Sequence, residues 1–271
     1  MNDKLRSVVK DVPPSIVVFL IALPLSMGIA RASGLPASLG LITAAVGGVV
    51  VGLLGGAPLV IAGPSAGLSV LILDWVIAFR TDDDPYGIAS IAVIAMIAGT
   101  VQLLAGVLRF GTYFRAVSPA VIRGMLAGIG LIIVAKQFHV MIDDDIQGSV
   151  LYNIYKIPEG IVKATSTGGD RTHYIAASIG VATLLTIVLW DRFRPGKLHV
   201  VPGALAGVLV ATFASAALRL PIDYVDVTGS LASYVTLPNA GSAELLLQPR
   251  IWFAGVALAF VASAETLLCA T

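Results

Sequence analysis

Apolar residues run along this chain in long blocks separated by short polar breaks. Eight blocks stand out, at roughly 13–32, 36–56, 64–79, 87–108, 117–138, 173–190, 200–218 and 250–271. A helix needs about 20 apolar residues to cross a ~30 Å hydrocarbon layer, and most of the blocks approach that length. The pattern predicts an all-α polytopic membrane protein. The third block differs. It is about 16 residues long and begins at the Gly63-Pro64 break. At ~1.5 Å per residue it spans only ~24 Å, so it is predicted to start inside the membrane.

The N-terminus carries Lys4, Arg6 and Lys10, and an apolar run from about Val12 to Ala32 follows. With Ala30-Arg31-Ala32 this could be read as a cleaved signal peptide. Pro24 inside the run and the apolar blocks behind it favour a retained first span instead.

The polar breaks carry a topology signal. Arg109 and Arg115 follow block 4, and Arg192, Arg194 and Lys197 follow block 6. Asp82, Asp83 and Asp84 follow block 3. Asp143, Asp144 and Asp145 follow block 5 and open a long connection to about Thr172, and the connection after block 7 is also long, with a β-like stretch near Tyr234–Leu237. Basic residues favour the cytoplasmic side. A cytoplasmic N-terminus places the basic breaks inside and both Asp triplets and both long loops outside. Lys156, Lys163 and Arg171 depart from this, but they lie in a long loop, which weighs less.

Composition sharpens the class. Of 271 residues 57% are hydrophobic and 12% charged, and mean hydropathy is +0.94. A soluble domain carries about 25% charged residues, so this chain lacks the coat a water-soluble globule needs. High hydrophobicity with a net charge of +1 excludes disorder. Seventeen Lys and Arg against sixteen Asp and Glu exclude a strongly basic nucleic-acid binder. One cysteine, Cys269, excludes a disulfide scaffold. The 28 glycines mostly read as small faces for close helix packing.

Three places could carry chemistry. The first is Gly63-Pro64-Ser65-Ala66-Gly67-Leu68-Ser69. Proline suits the first turn of a helix, and a helix starting here would present the free N–H groups of Ser65, Ala66 and Gly67. The helix dipole adds partial positive charge, and Gly67 allows close approach. Together they form an anion site of the kind transporters build from broken helices. The other reading is a Pro-Gly kink in an ordinary span. The second is Glu265, about 14 residues into block 8, whose one basic residue, Arg250, stands at the opposite end. A carboxylate at that depth is a functional candidate that could bind Na+ or carry a proton, with Ser263, Thr266 and Cys269 as weak ligands. It could also be a structural Glu hydrogen-bonded to a neighbouring helix. The third is Pro24, in Ala22-Leu23-Pro24-Leu25-Ser26-Met27, which kinks block 1 and opens space or is simply tolerated.

Other polar residues read plainly. Arg123 can snorkel. Lys136, Gln137 and His139 are predicted to mark an interface, and His173 and His199 stand alone. No His, Cys or acidic pair has metal-ligand spacing, no Walker loop occurs, and no nucleophile–base pairing supports an enzyme or a cofactor.

Four stretches together resemble the SulP family of anion permeases, also called the sulfate permease or solute carrier 26 family. They are Ile21–Ala37 (IALPLSMGIARASGLPA), Ile61–Val70 (IAGPSAGLSV), Ser118–Gln137 (SPAVIRGMLAGIGLIIVAKQ) and Ala262–Cys269 (ASAETLLC). The resemblance implies a fold of fourteen segments in two inverted repeats of seven, with half-helices at segments 3 and 10 facing each other across the substrate. This chain would hold the first repeat and segment 8. Residues 1–12 would be a cytoplasmic N-terminus, 13–110 core-domain segments 1–4, 111–220 gate-domain segments 5–7, 221–249 an extracytoplasmic loop and 250–271 core-domain segment 8. The core would move as an elevator against the gate. Pro64, Ser65, Ala66 and Gly67 would be substrate contacts. Glu265 would be the acidic position tied to cation or proton coupling. Leu25 falls where many relatives carry a site-lining glutamine, and Cys269 where some carry a threonine near Na+.

The implied function is secondary transport of a small inorganic oxyanion, sulfate or bicarbonate, across a bacterial inner membrane, coupled to Na+ or H+. The chain stops at Thr271, where the second repeat has barely begun. It is therefore expected to be an incomplete half (a truncated reading frame, a fragment or half of a split protein) that does not transport alone, with a second half or a homodimer as its partner. A nucleobase permease and a non-transporting membrane subunit are the alternatives.

Overall fold

A computed structural model describes residues 3–54, 61–114, 118–144, 150–165, 171–194, 196–198, 201–222, 224, 231, 235 and 240–269. Every regular element among them is helical. In chain order they are α1 (Asp3–Ala32), α2 (Ala37–Val46), a π turn (Gly47–Val51), α3 (Gly52–Leu54), α4 (Ser69–Phe79), α5 (Ile88–Val107) and α6 (Gly111–Phe114). Then follow α7 (Pro119–Met141), α8 (Val150–Thr165), α9 (Arg171–Phe193), a 3-10 turn (Gly196–Leu198), α10 (Gly203–Leu218), α11 (Ala240–Leu245) and α12 (Pro249–Cys269). Of the expected β-like stretch only Val235 is described, without regular structure; its other residues, with Arg115, Asp145 and His199, lie outside the described residues.

The eight apolar blocks all reappear as helices. Asp11–Ala32, Ala37–Leu54, Ile88–Val107, Thr172–Phe193 and Pro249–Leu267 are long and apolar enough to cross a membrane. Ser69–Phe79, Ala127–Met141 and Gly203–Leu218 are shorter apolar helices. The block pattern did not reveal α8. Its apolar residues Val150, Ile154, Ile157 and Ile161 recur every three or four positions, while Lys156, Glu159 and Lys163 interrupt any continuous run. Such a helix is amphipathic rather than apolar, so it reads as a loop when only long apolar runs are sought.

Local chemistry sets the helix ends. Pro36 and Pro202, both extended, precede α2 and α10. Asp84, from the first acidic triplet, accepts from the Ala89 N–H in the first turn of α5 and so caps it. Three helices end on residues with left-handed backbone that are not glycine: Arg109, Asp143 and Arg219.

The chain divides into two compact units. Unit 1 comprises Met1–Leu25 with Val134–Asp226, and unit 2 comprises Ser26–Ile133 with Val227–Thr271. The first division falls one residue after Pro24, where the ring removes a helical hydrogen bond. Unit 2 is built on α5 and α12. Val93, Ile94, Ile97 and Ala98 pack against Ile251, Ala254, Leu258 and Ala259, with Leu68, Leu71, Ile72 and Trp75 alongside. Lipid tails are as apolar as these side chains, so close fit rather than water exclusion holds such a pair. Gly255 provides the fit: a Cβ there would stand 2.5 Å from Ile97 Cγ2. In unit 1, Gly207 lets α10 approach α9, where a Cβ would meet Ile187 Cγ1 at 2.6 Å. The Trp190 Nε1–H ties α9 to the Val201 carbonyl at 2.9 Å.

Candidate functional site

The candidate anion site is an interruption between two helices of unit 2. Residues 61–65 are non-helical, 66–68 form a turn, and the helical ladder of α4 begins at Ser69. The helix therefore starts five residues later than a start at Pro64 would put it. The turn closes through Ser69, whose N–H and hydroxyl both donate to the Ala66 carbonyl, at 3.2 and 2.7 Å. This leaves a short non-helical lead of donors before the helix. Among the described residues, the N–H groups of Ser65, Ala66, Gly67 and Leu68 donate no backbone hydrogen bond.

Two glycines make room for the interruption. Gly47 opens the π turn after α2, and a Cβ there would meet the Ala62 carbonyl oxygen at 2.6 Å. The extended segment thus lies directly on that glycine's backbone, and π turns of this kind often mark functional sites. Gly67 makes room for Glu265. A Cβ on Gly67 would stand 2.7 Å from both carboxylate oxygens of Glu265 and 2.9 Å from its Cδ.

The structure therefore joins the two strongest sequence candidates, although about two hundred positions separate them. The Glu265 carboxylate lies over the backbone of the interruption, in space that exists because residue 67 has no side chain. It forms no ion pair among the described residues. Ser65 adds a second sign of an open valence. Its hydroxyl oxygen is shielded from solvent and has no hydrogen-bond partner among the described residues. Such a group costs about 1–3 kcal/mol until something pairs with it.

The remaining candidates stand as follows. Pro64 and Gly67 are partly buried, and Ala66 is exposed. Leu25 belongs to unit 1 and is 57% exposed. Cys269 is the last residue of α12, and its side chain lies outside the described ones. Ser263, a candidate cation ligand, instead accepts a hydrogen bond from Gln102 Nε2 at 3.1 Å; the same amide reaches the Ala259 carbonyl at 3.3 Å. Sequence reading missed Gln102. Its signal was the spacing Ile94, Ala98, Gln102, which sets a polar amide at the end of a buried stripe on one helix face.

Unit 1 holds a separate polar cluster that the sequence had placed at an interface. Lys136 and His139 are buried within the protein. The main-chain oxygen of Asn153 can only accept, so His139 Nε2 carries the proton of that 3.0 Å bond. Among the described residues its Nδ1 has no hydrogen-bond partner, and Asp144 Oδ2 stands 3.5 Å away. Lys163 bonds both Asp144 oxygens, at 3.2 and 3.4 Å. Burial pushes the Asp144 carboxyl up, but Lys163 and then His139 outweigh it and hold it below its usual value. These side chains, with Tyr152, Lys156 and Glu159, line a half-open cavity of about 150 Å³. His173 is not isolated: its Nδ1 bonds the Ile142 carbonyl at 2.8 Å. Among the described residues, no group of three or more His, Cys, Asp or Glu comes together as a metal site.

Comparison with known proteins gives the family of the chain. Residues 8–271 match the model of the sulfate permease family. A putative sulfate transporter of Bacillus subtilis, YvdB, is 28% identical over 96% of this chain and 47% of its own length. The bicarbonate transporter BicA of Picosynechococcus sp. is 31% identical over 49% of this chain and 24% of its own. The chain spans about half the length of the curated relatives it matches. Among solved structures, the transmembrane domain of a cyanobacterial bicarbonate transporter BicA superposes with a TM-score of 0.71 at 24% identity, covering 97% of this chain and 65% of that one.

Proposed function

This chain belongs to the sulfate permease family of integral membrane proteins, and on that premise we propose that it serves the transport of a small inorganic oxyanion, sulfate or bicarbonate. The single observation that carries the reading is the Glu265 carboxylate lying over Gly67, beside four undirected N–H groups.

The mechanism follows from charge. The lead into α4 offers donors and the positive end of a helix dipole, a setting for an oxyanion. Ser65 adds a hydroxyl. Glu265 occupies the same neighbourhood with a negative charge. Two like unit charges 4 Å apart repel by about 4 kcal/mol at an effective dielectric of 20. An anion therefore binds well only when a cation or proton neutralises Glu265. That requirement couples the two ions without any basic side chain, and it gives Glu265 the role of taking up Na+ or H+.

In the family arrangement the opposing wall comes from a second half-helix, supplied by the matching half of a longer chain or by a partner. Alternating access then comes from an elevator movement of the part bearing the site. A cytoplasmic N-terminus, on the strength of the basic breaks, and a bacterial inner membrane complete the reading. The nucleobase alternative draws no support from the matched relatives, whose names specify sulfate and bicarbonate.

The test is uptake of labelled sulfate and bicarbonate by membrane vesicles, with Na+ and pH varied. It is run on this chain and on a chain joined to the C-terminal half of the Bacillus subtilis relative. Uptake that rises with Na+ or with acidification, and loses that dependence in Glu265→Gln, is expected. Wild-type cation dependence in the Gln variant would sink the coupling role.

A further inference from the structure

The carboxylate of Glu265 can act at Gly67 only if α12 holds one rotation about its own axis. The interface beside it is apolar, its close fit resting on Gly255 against Ile97. Val93, Ile94, Ile97 and Ala98 meet Ile251, Ala254, Leu258 and Ala259, all apolar and several small. Packing of this kind fixes how closely two helices approach, but these side chains offer no directional polar contact between them.

Gln102 supplies what the apolar surface lacks. It continues the stripe of Ile94 and Ala98, four and eight residues on, so its amide faces α12. There Nε2 donates to Ser263 Oγ at 3.1 Å and to the Ala259 carbonyl at 3.3 Å. Ala259 and Ser263 are four residues apart and lie on one face of α12. Ser263 and Glu265 are two apart, or about 200° around the helix. The amide therefore grips α12 from behind while Glu265 faces the interruption.

We propose that Gln102 is a positioning residue that fixes the rotation of α12 and so holds the Glu265 carboxylate over Gly67. The inference rests on the proposed coupling role of Glu265, but its geometric core does not. A hydroxyl acceptor on one helix and an amide donor on the other make a directional contact, and rotating α12 by a quarter turn removes it. The same contact keeps the Ser263 hydroxyl engaged with α5, which leaves Glu265 without that neighbour as a ligand.

The experiment has a readout that needs no transport. In a Cys269→Ser background, Gly67→Cys and Glu265→Cys are joined by a short thiol cross-linker in membranes. Gln102→Met keeps the length and bulk of the side chain and removes its donors. Cross-linking is expected to slow about three- to twentyfold, the range expected for one interhelical hydrogen bond in a membrane. The exchanged pair Gln102→Ser with Ser263→Gln restores the contact and recovers the rate. If Gln102→Met fails to insert, Ser263→Ala serves, with a smaller slowing because the Ala259 carbonyl still accepts.

In the chain with Glu265 intact, Gln102→Met is expected to raise the cation concentration for half-maximal sulfate uptake by a similar factor and to leave the maximal rate at saturating cation. A merely structural lesion would lower the maximal rate instead. Unchanged cross-linking in Gln102→Met overturns the proposal. Absent uptake in the unmodified protein overturns the transport reading, and cross-linking alone then decides the role of Gln102.

Discussion

Replacing Gly67 by alanine tests the centre of the site with one methyl group. The new Cβ would stand 2.7 Å from both Glu265 oxygens, whereas ordinary contact begins near 3.4 Å. The carboxylate must therefore retreat by roughly 0.7 Å. It is the far end of a flexible side chain, so the retreat costs about 0.5–1.5 kcal/mol of rotamer strain and leaves the backbone in place. Thermal unfolding should shift by no more than about 4 °C. Function should suffer far more, because misplacing a reacting or binding group by ~1 Å can cost about a hundredfold. Equilibrium binding of labelled sulfate to the purified protein in lipid nanodiscs, at fixed pH and Na+, is expected to weaken about ten- to a hundredfold. Adding Glu265→Asp shortens the side chain by one carbon and should recover most of the loss, a coupling that independent sites would not show. Unchanged binding in Gly67→Ala would refute the claim that the carboxylate acts from this position. Loss of the fold would refute the claim that only a side-chain tip opposes the methyl group.

Two further predictions use other parts of the molecule. Gly255→Ala places its methyl 2.5 Å from Ile97 Cγ2 and 2.7 Å from Ile97 Cβ, a stiff branched neighbour. The α5–α12 pair must separate, so this variant should lose about 1–3 kcal/mol, read as lowered thermal stability against the nearly neutral Gly67→Ala. The pH prediction concerns α8. The Asp144 carboxyl is held below its usual value of 3.8, so its contribution is complete above that pH and is lost as pH falls through the lower folded-state value. Amide exchange in α8 should accelerate below about pH 3.8 and not between pH 5 and 8, and Asp144→Asn should abolish that acid step.

Much of the fold was legible because a membrane helix announces itself through composition. Eight apolar blocks became eight apolar helices, since a chain in lipid must satisfy its backbone internally and a helix does so locally. The short third block stayed short for the same reason. Pro64 misled about where the ladder of α4 begins: proline permits a helix start, but the turn that Ser69 closes onto Ala66 lies downstream. The amphipathic α8 was missed because its apolar stripe is interrupted by lysines and a glutamate. The contacts of His139 were not legible because Asn153 and Asp144 come from later in the chain, and burial among such partners leaves no mark on local composition.

The candidate site divides in the same way. The residues that could bind an anion, and the carboxylate that could take up a cation, were each identifiable from residue type and depth in an apolar block. Helix content, membrane placement and the two candidate groups were therefore determined by the sequence, through local rules of hydropathy and backbone geometry. That Glu265 meets Gly67, that Gly47 accepts the extended segment and that Gln102 grips α12 were decided only by tertiary structure. These depend on the rotation and offset of whole helices packed against one another, and an apolar helix in lipid carries no periodic signal strong enough to fix either.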